Sequence, residues 1–551
     1  MKKIIFILGL AAVVLGTSCS DVLDLNPADR FSPATVWSTT TTADKYVIGL
    51  YSIFGANTEM RGGDAYASPR LSDAYSDILK STSWNQYNHN FNATLLQETA
   101  FNSNSAGAFE CWSSHYDRIR RENEFLRDAA EFGSKFGEDW LKIRIAEVRF
   151  CRAYAYFMLC RVYGGVILRT EVDGPEQNDK ARSTEEECWG FIINELKELA
   201  PDLPLKWDSD NSGRATQKAA YGLLSRVALY AEKWDIAAQA ARDCATAEGN
   251  LDLSENGYAK IFELGINSPE VLFAVEFKSS VIDHAYDAYV RPSGDTKELG
   301  KQVYSGFVPT SELVDSYEMA GDGGNFSWEK HGKDPYANRE PRFYATILYN
   351  GADWMGRKIE SFVGGKDGYK AYENAGAAGT TVTGYYLRKY LIDGDKTWVT
   401  SGSGQDWIVL RYAEVLLNKA EALAMENWNK NSDEALQALN DVRARVGLPA
   451  RATADKETFL EYVRHERKVE LAGEGFRYWD LRRWRLAEKV IDGQNVHGVK
   501  ISKQSDGSFT YEQVDADGGH KRIFYDRYYR FAIPLSERSN NSLCTNNDGW
   551  I

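Results

Sequence analysis

Histidine is scarce, with 7 in 551 residues. His89, His115, His284, His331, His465, His497 and His520 are scattered without ligand spacing, and no H-E-x-x-H helix is present to hold zinc. Cysteine is equally scarce, with 7 residues. None forms a C-x-x-C pair, which removes zinc-ribbon and thioredoxin-type readings. Cys111, Cys151, Cys160, Cys188, Cys244 and Cys544 are too few for a disulfide scaffold in so long a chain. The Gly-Lys pairs at 300, 332 and 365 are followed by Gln302, Asp334 and Asp367, so there is no P-loop. There is no G-x-S-x-G elbow either. No metal and no cofactor is expected. Positive charge is in deficit: 65 Lys and Arg against 79 Asp and Glu give −14. Nucleic acid, whose binding needs a basic face, is therefore excluded as the main ligand. The mean hydropathy of −0.46 excludes a polytopic membrane protein.

What is present is ordinary for a globular chain, with 43% hydrophobic and 26% charged residues. Aromatics are plentiful, at 15 Trp, 31 Tyr and 24 Phe. Such side chains are costly to expose unless they pack or meet something flat and partly apolar. At the start, Lys2 and Lys3 precede an apolar run from Ile4 to Gly16. That run has the length of a signal-peptide core and is too short to span a bilayer. Leu15-Gly16-Thr17-Ser18-Cys19 follows. It resembles a bacterial lipoprotein signal cut before Cys19, although a strict signal places Leu where Gly16 stands. The expected mature chain begins at Cys19 and is held on a membrane by lipid on that residue. Removing residues 1–18 makes the net charge more negative by two.

Helical periodicity dominates the rest. Thr41-Thr42-Ala43-Asp44 resembles a capping box ahead of Val47, Ile48, Tyr51 and Phe54. The spacing predicts helices over 112–131 and 138–163, the latter closed at Gly164-Gly165 by a left-handed cap. Another begins at Ser183. Two antiparallel helix pairs are expected, at 216–231 with 235–247 and at 407–426 with 432–446. Both are rich in alanine, and each is about the length of a tetratricopeptide repeat. Val271–Val275 reads as a strand. Residues 251–406 are otherwise Gly-rich and irregular, and long irregular segments of this kind are usually functional. Cys151 and Cys160 read as buried small hydrophobes. Glu466, Glu470 and Glu474 are expected on one helix face, solvated or salt-bridged.

Several stretches resemble SusD/RagB-family outer-membrane lipoproteins. They are Arg411 to Ala422, Asn440 to Pro449, and the most specific, Glu466 to Trp484 with Gly475-Phe476-Arg477-Tyr478-Trp479-Asp480 at its centre. Ala146 to Tyr154, Tyr163-Gly164-Gly165, Gly213 to Thr216, Ile533-Pro534-Leu535, Asn546 to Trp550 and the leader Ser18 to Asp24 agree, in the same order. Cys151 and Gly473 are small departures at core-like positions. The resemblance implies a mainly α fold of tetratricopeptide-like helix pairs with a loop-rich region and short strands. It implies one domain over 19–551: an N-terminal helical half (19–250), a loop-rich ligand side (251–406) and a C-terminal helical part (407–551). It implies a lipid-anchored protein at the cell surface, a SusC-like TonB-dependent transporter as partner, and non-catalytic capture of oligo- or polysaccharide. Arg411, Arg477 and Asp480 are then fold residues in buried ion pairs and caps.

Binding residues must be chosen from chemistry. A sugar ring offers a flat C–H face for Trp or Tyr and a hydroxyl rim for Asp, Asn or Arg. Loop aromatics beside such polar residues are Trp84, Asn85 and Tyr87, with Asp73 upstream. Tyr289, Arg291 and Asp295 form a second group, and Trp354, Arg357, Tyr385 and Tyr386 a third; Asp64 is a further candidate. Each aromatic has a competing reading as a plug that packs against the core. Within the binding class, an importer lid for peptides is the variant. Two other classes also stay open. One is a protein-binding scaffold without glycan affinity. The other is a glycosidase, which would need two carboxylates set across a groove.

Overall fold

The computed structural model describes residues 32–56, 58–60, 71–82, 101–174, 179–371 and 380–550. Cys19, Asp64, Trp84, Asn85 and Tyr87 lie outside them. The described chain is mainly helical. Helix α1 spans Thr40–Leu50. Its cap is Thr39, whose extended backbone lets its Oγ1 accept from the Thr42 N–H while Thr42 Oγ1 accepts from the Thr39 N–H, both at 3.1 Å. The box therefore starts two residues before the expected Thr41. Strand β1 is Leu79–Ser81, α2 is Trp112–Phe132 and α3 is Glu138–Tyr163. From Ala146 onward α3 is buried almost all round, as a helix crossing a protein interior must be. Its charges are matched within the core. Glu147 accepts from Arg214 Nε and Nη2 at 2.7 and 2.8 Å and from Tyr51 Oη at 2.7 Å.

Gly164 ends α3 at φ +75°, ψ −124°. This is positive φ but not the left-handed helical cap expected. A Cβ there would sit 2.6 Å from Arg530 Cδ, and one on Gly165 would sit 2.4 Å from the Ser183 carbonyl. The two glycines allow the next segment to pass close by. Helix α4 (Glu185–Leu199) is capped by Thr184 with Glu187 completing the box. Helices α5 (Gln217–Tyr230) and α6 (Trp234–Thr246) form the first antiparallel pair. Ala219, Ala220, Ala228, Ala237, Ala238 and Ala241 are all buried, so the two backbones approach without a methylene between them.

Strand β2 is Val271–Val275, followed by the short helix α7 (Tyr286–Val290) and strand β3 (Phe307–Pro309). Residues 407–411, expected to begin a helix, instead form strand β4 (Trp407–Arg411), buried along its whole length. A continuous apolar run fits a buried strand and a buried helix equally in period; here the edge of β2 decides, since β2 and β4 pair antiparallel. Helix α8 follows as Tyr412–Arg445, interrupted at Asn427, whose extended backbone (φ −164°, ψ 93°) divides it where the second helix pair was expected to turn. Buried Asn418 of α8 donates to Ser225 Oγ of α5 at 3.0 Å, tying the two pairs together. Helices α9 (Lys456–Glu470) and α10 (Arg477–Arg483) and the hairpin of β5 (His497–Lys503) with β6 (Phe509–Asp515) follow, ahead of a mostly irregular tail with a short helix at Leu535–Asn540.

The three glutamates do not share a solvated face. Helix α9 ends at Glu470, Glu474 lies beyond it, and all three are buried. Arg411 donates to Glu270 (2.9 Å), Glu470 (2.6 Å) and Glu474 (2.7 Å), and Arg342 reaches Glu466 and Glu470. Burial alone would raise the Glu470 carboxyl. Arg445, Arg411 and Arg342 outweigh it and hold that carboxyl well below the usual range. Arg477 pairs with Asp77, and Asp480 with Arg467 and Arg483. Arg411, Arg477 and Asp480 are thus held in ion pairs within the framework, as expected.

Candidate functional site

Helix α7 and the chain after it bring five of the sequence candidates together, but turn them inward. Arg291 is fully buried. Its Nε donates to Asp287 at 2.8 Å, and its guanidinium lies between the rings of Trp354 and Trp398, 5.2 Å from each centroid. Asp295 accepts from Trp354 Nε1 at 3.0 Å and from Arg357 Nη2 at 2.8 Å. Arg357 also grips Asp367 at 2.6 Å, whose carbonyl accepts from Tyr386 Oη at 2.8 Å. Burial alone would lower the Arg357 pKa, but Asp367 and Asp295 raise it above the usual arginine value.

This corrects the expectation for Arg291, Asp295, Trp354 and Tyr386. All four are buried with the partners just named inside the protein, so they are not presented to a ligand. Arg357 is partly exposed, but both its faces are committed to carboxylates. Tyr385 is also buried, in a separate aromatic cluster with its ring edge-on to Tyr336. The cluster around Arg291 ties α7 and Asp295 to Trp354, Arg357, Asp367 and Trp398 as one platform.

Asp73 is corrected in the same way. It is buried and accepts the backbone N–H groups of Gly473 (2.9 Å), Gly475 (3.1 Å) and Arg477 (2.9 Å). Burial pushes its carboxyl up to about 6 against those bonds. It anchors the entry to α10 and leaves no side-chain face for a sugar.

One predicted residue does stand at the surface of the platform. Tyr289 is half-buried and stacks on Tyr304 with centroids 4.8 Å apart and planes 22° apart. Tyr304 was not among the sequence candidates. The pair exists because residues 304–306 run back along α7: Tyr304 N–H donates to the Ala288 carbonyl at 2.8 Å and Gly306 N–H to the Tyr289 carbonyl at 2.6 Å. Ser305 between them takes φ +47° and donates its hydroxyl to the Arg291 carbonyl at 3.0 Å. An aromatic between Gly300 and Gly306 was the available signal. The periodicity of the segment gave no sign that it returns to Tyr289.

Strand β1 pairs with β3 in the register Leu79↔Pro309 and Ser81↔Phe307, and Thr82 N–H donates to the Gly306 carbonyl at 3.0 Å. Thr82 is the last described residue before 83–100. Thr82 is thereby held to a residue two places from Tyr304. Among the described residues no group of three His, Cys, Asp or Glu side chains could hold a metal ion. No helix among them is long and apolar enough to cross a membrane.

The helix pairs, the strand-poor loop region and the arginine-rich framework define a SusD-like fold. The SusD family model matches residues 269–550, just over half of the chain, and a second model, described as starch-binding and associating with the outer membrane, matches 21–229. The chain belongs to the SusD family. A SusD-like protein of Bacteroides ovatus is 25% identical over 547 residues, covering 94% of this chain and 90% of that one. A crystal structure of a SusD-like protein from Bacteroides fragilis superposes with a TM-score of 0.80 at 27% identity, over 94% of this chain and 98% of its own. A SusD-like carbohydrate-binding protein of the same organism gives 0.76 at 24%, over 92% and 99%.

Proposed function

We propose that this protein captures an oligo- or polysaccharide at the cell surface without transforming it and passes it to a SusC-like TonB-dependent transporter. Lipid on Cys19 would hold it to the outer membrane after loss of residues 1–18. The observation that supports this reading is the Tyr289–Tyr304 stack, a tilted aromatic shelf set on the Arg291 platform. Thr82, two residues before Trp84 in sequence, bonds to Gly306 near it. Tyrosine faces suit the C–H face of a sugar ring, and Asn85 suits its hydroxyl rim. Buried Arg291, Asp295 and Trp354, with half-buried Arg357, would hold the shelf rigid and leave contact to the tyrosines and the 83–100 segment.

Residues 20–551 tested against a glycan collection should bind at least one polymer and release it unaltered. Trp84→Ala and Tyr304→Ala should weaken that binding while the melting temperature holds. Capture of a barrel transporter with the lipidated protein from outer membranes tests the partner. A folded protein that binds no glycan but captures the barrel would favour the peptide-lid or scaffold function. Shortening of the glycan by purified protein would overturn non-catalytic capture.

A further inference from the structure

A cavity of about 310 Å³ lies among the ends of α3, α4 and α5 and the walls of α8, α9 and α10. It shares no element with the tyrosine shelf. Six arginines line it against three glutamates, and the pairing within it is uneven. Arg530 is matched by Glu185 and Arg483 by Glu421. Arg161 and Arg464 form no ion pair among the described residues and instead lie over Trp479 and Trp484, at 4.1 and 5.8 Å. Arg482 is only 4% exposed. Its Nη2 donates to the Tyr529 carbonyl at 2.8 Å, while its Nε and Nη1 have no hydrogen-bond partner among the described residues, nor has the Nε1 of Trp479 beside it.

A buried cation without a counter-charge is expensive. Here burial, with Arg530 and Arg161 nearby, pulls the Arg482 guanidinium down to about 10. The aromatic rings around these guanidiniums cannot supply the missing acceptor. An oxyanion can, because each of its oxygens accepts hydrogen bonds from guanidinium and indole N–H groups. The volume is at the lower end of small-ligand pockets.

We propose that this cavity binds a small oxyanion, a carboxylate or sulfate, free or carried on one sugar-sized ring, with Arg482, Arg161 and Arg464 as its donors. The site is independent of glycan capture at the tyrosine shelf, and neither stands on the other.

The test is calorimetric titration of the full mature chain with sodium sulfate and with sodium glucuronate. Glucose and sodium chloride at equal ionic strength serve as controls, and tryptophan fluorescence is followed in parallel. Saturable binding of sulfate, glucuronate or both, without response to glucose or chloride, is expected. Sulfate alone identifies a free-anion site, and glucuronate at least as strong as sulfate identifies a sugar-borne anion. Arg464→Gln, at a half-buried position, should weaken binding about threefold or more, and Arg482→Lys about tenfold or more. No saturable response in the folded protein, or an unchanged affinity in folded Arg464→Gln, would overturn the proposal. Should Arg482→Lys fail to fold, Arg464→Gln and Arg161→Gln decide the matter.

Discussion

The pairing of Arg226 with Glu414 offers a direct test of how the helix pairs are held to the C-terminal part. Arg226 sits on α5 and donates through Nε and Nη2 to the two oxygens of Glu414 on α8, both at 2.6 Å. Its Nη2 also reaches the Val409 carbonyl on β4 at 2.6 Å. The side chains are 8% and 1% exposed. Unlike the glutamates around Arg411, Glu414 has no second cation among the described residues. Arg226→Met should therefore leave a buried carboxylate unmatched and cost about 3–5 kcal/mol. The double variant Arg226→Met with Glu414→Leu removes both charges and should recover all but about 1–2 kcal/mol, since apolar replacement of a buried pair is close to neutral. Urea unfolding of the wild type, both single variants and the double variant closes the cycle. A single variant that loses less than about 1 kcal/mol, or a double variant as unstable as the sum of the singles, would refute the reasoning.

Other outcomes follow from single sites. Burial lowers the imidazole of His115 from 6.5 to about 3, with its Nδ1 2.7 Å from the Cys111 carbonyl. The unfolded chain takes up that proton below pH 6.5 and the native one does not, so stability should fall on the order of a few kcal/mol as pH drops from about 6.5 towards about 3. His115→Gln should flatten that part of the profile in pH-dependent thermal melts, and an unchanged profile would contradict the assignment. Gly265 has φ +54°, and a Cβ there would lie 2.2 Å from Oδ2 of Asp406, whose Oδ2 accepts from the Ile266 N–H and whose Oδ1 accepts from the Phe277 N–H. Gly265→Ala should cost about 1–3 kcal/mol in urea unfolding, and a neutral result would show that the turn can relax.

The helices were legible where apolar spacing ran up to a stop signal such as Gly164-Gly165. Helix α3 begins at Glu138 and ends at Tyr163, and strand β2 runs Val271–Val275, as the sequence spacing predicts. The Trp407–Arg411 strand was not legible, since a short apolar run carries no period to separate strand from helix. The loop-region candidates were read as facing outward, and several face inward. Arg291, Asp295, Trp354 and Tyr386 carry the residue types of a sugar site, yet those types also satisfy one another, and a sequence does not say which loop covers which. Tyr304 escaped notice because its stack on Tyr289 depends on a chain reversal through Ser305 at positive φ. The unmatched arginines around Arg482 were hidden for a related reason. Their sequence neighbours pair fully, as Arg483 does with Glu421 and Asp480, and only the packing shows which of them lacks a partner.

The central claim is that the stacked tyrosines contact the captured glycan. Its most direct test is the affinity of wild type and Tyr304→Ala for the best-binding polysaccharide, measured at one pH and salt with the melting temperature checked alongside. Loss of one stacking face should weaken binding about threefold to tenfold, the worth of roughly 0.5–1.5 kcal/mol of aromatic contact, with the melting temperature unchanged. Equal affinity in the two folded proteins would contradict the account and place glycan recognition elsewhere on the molecule.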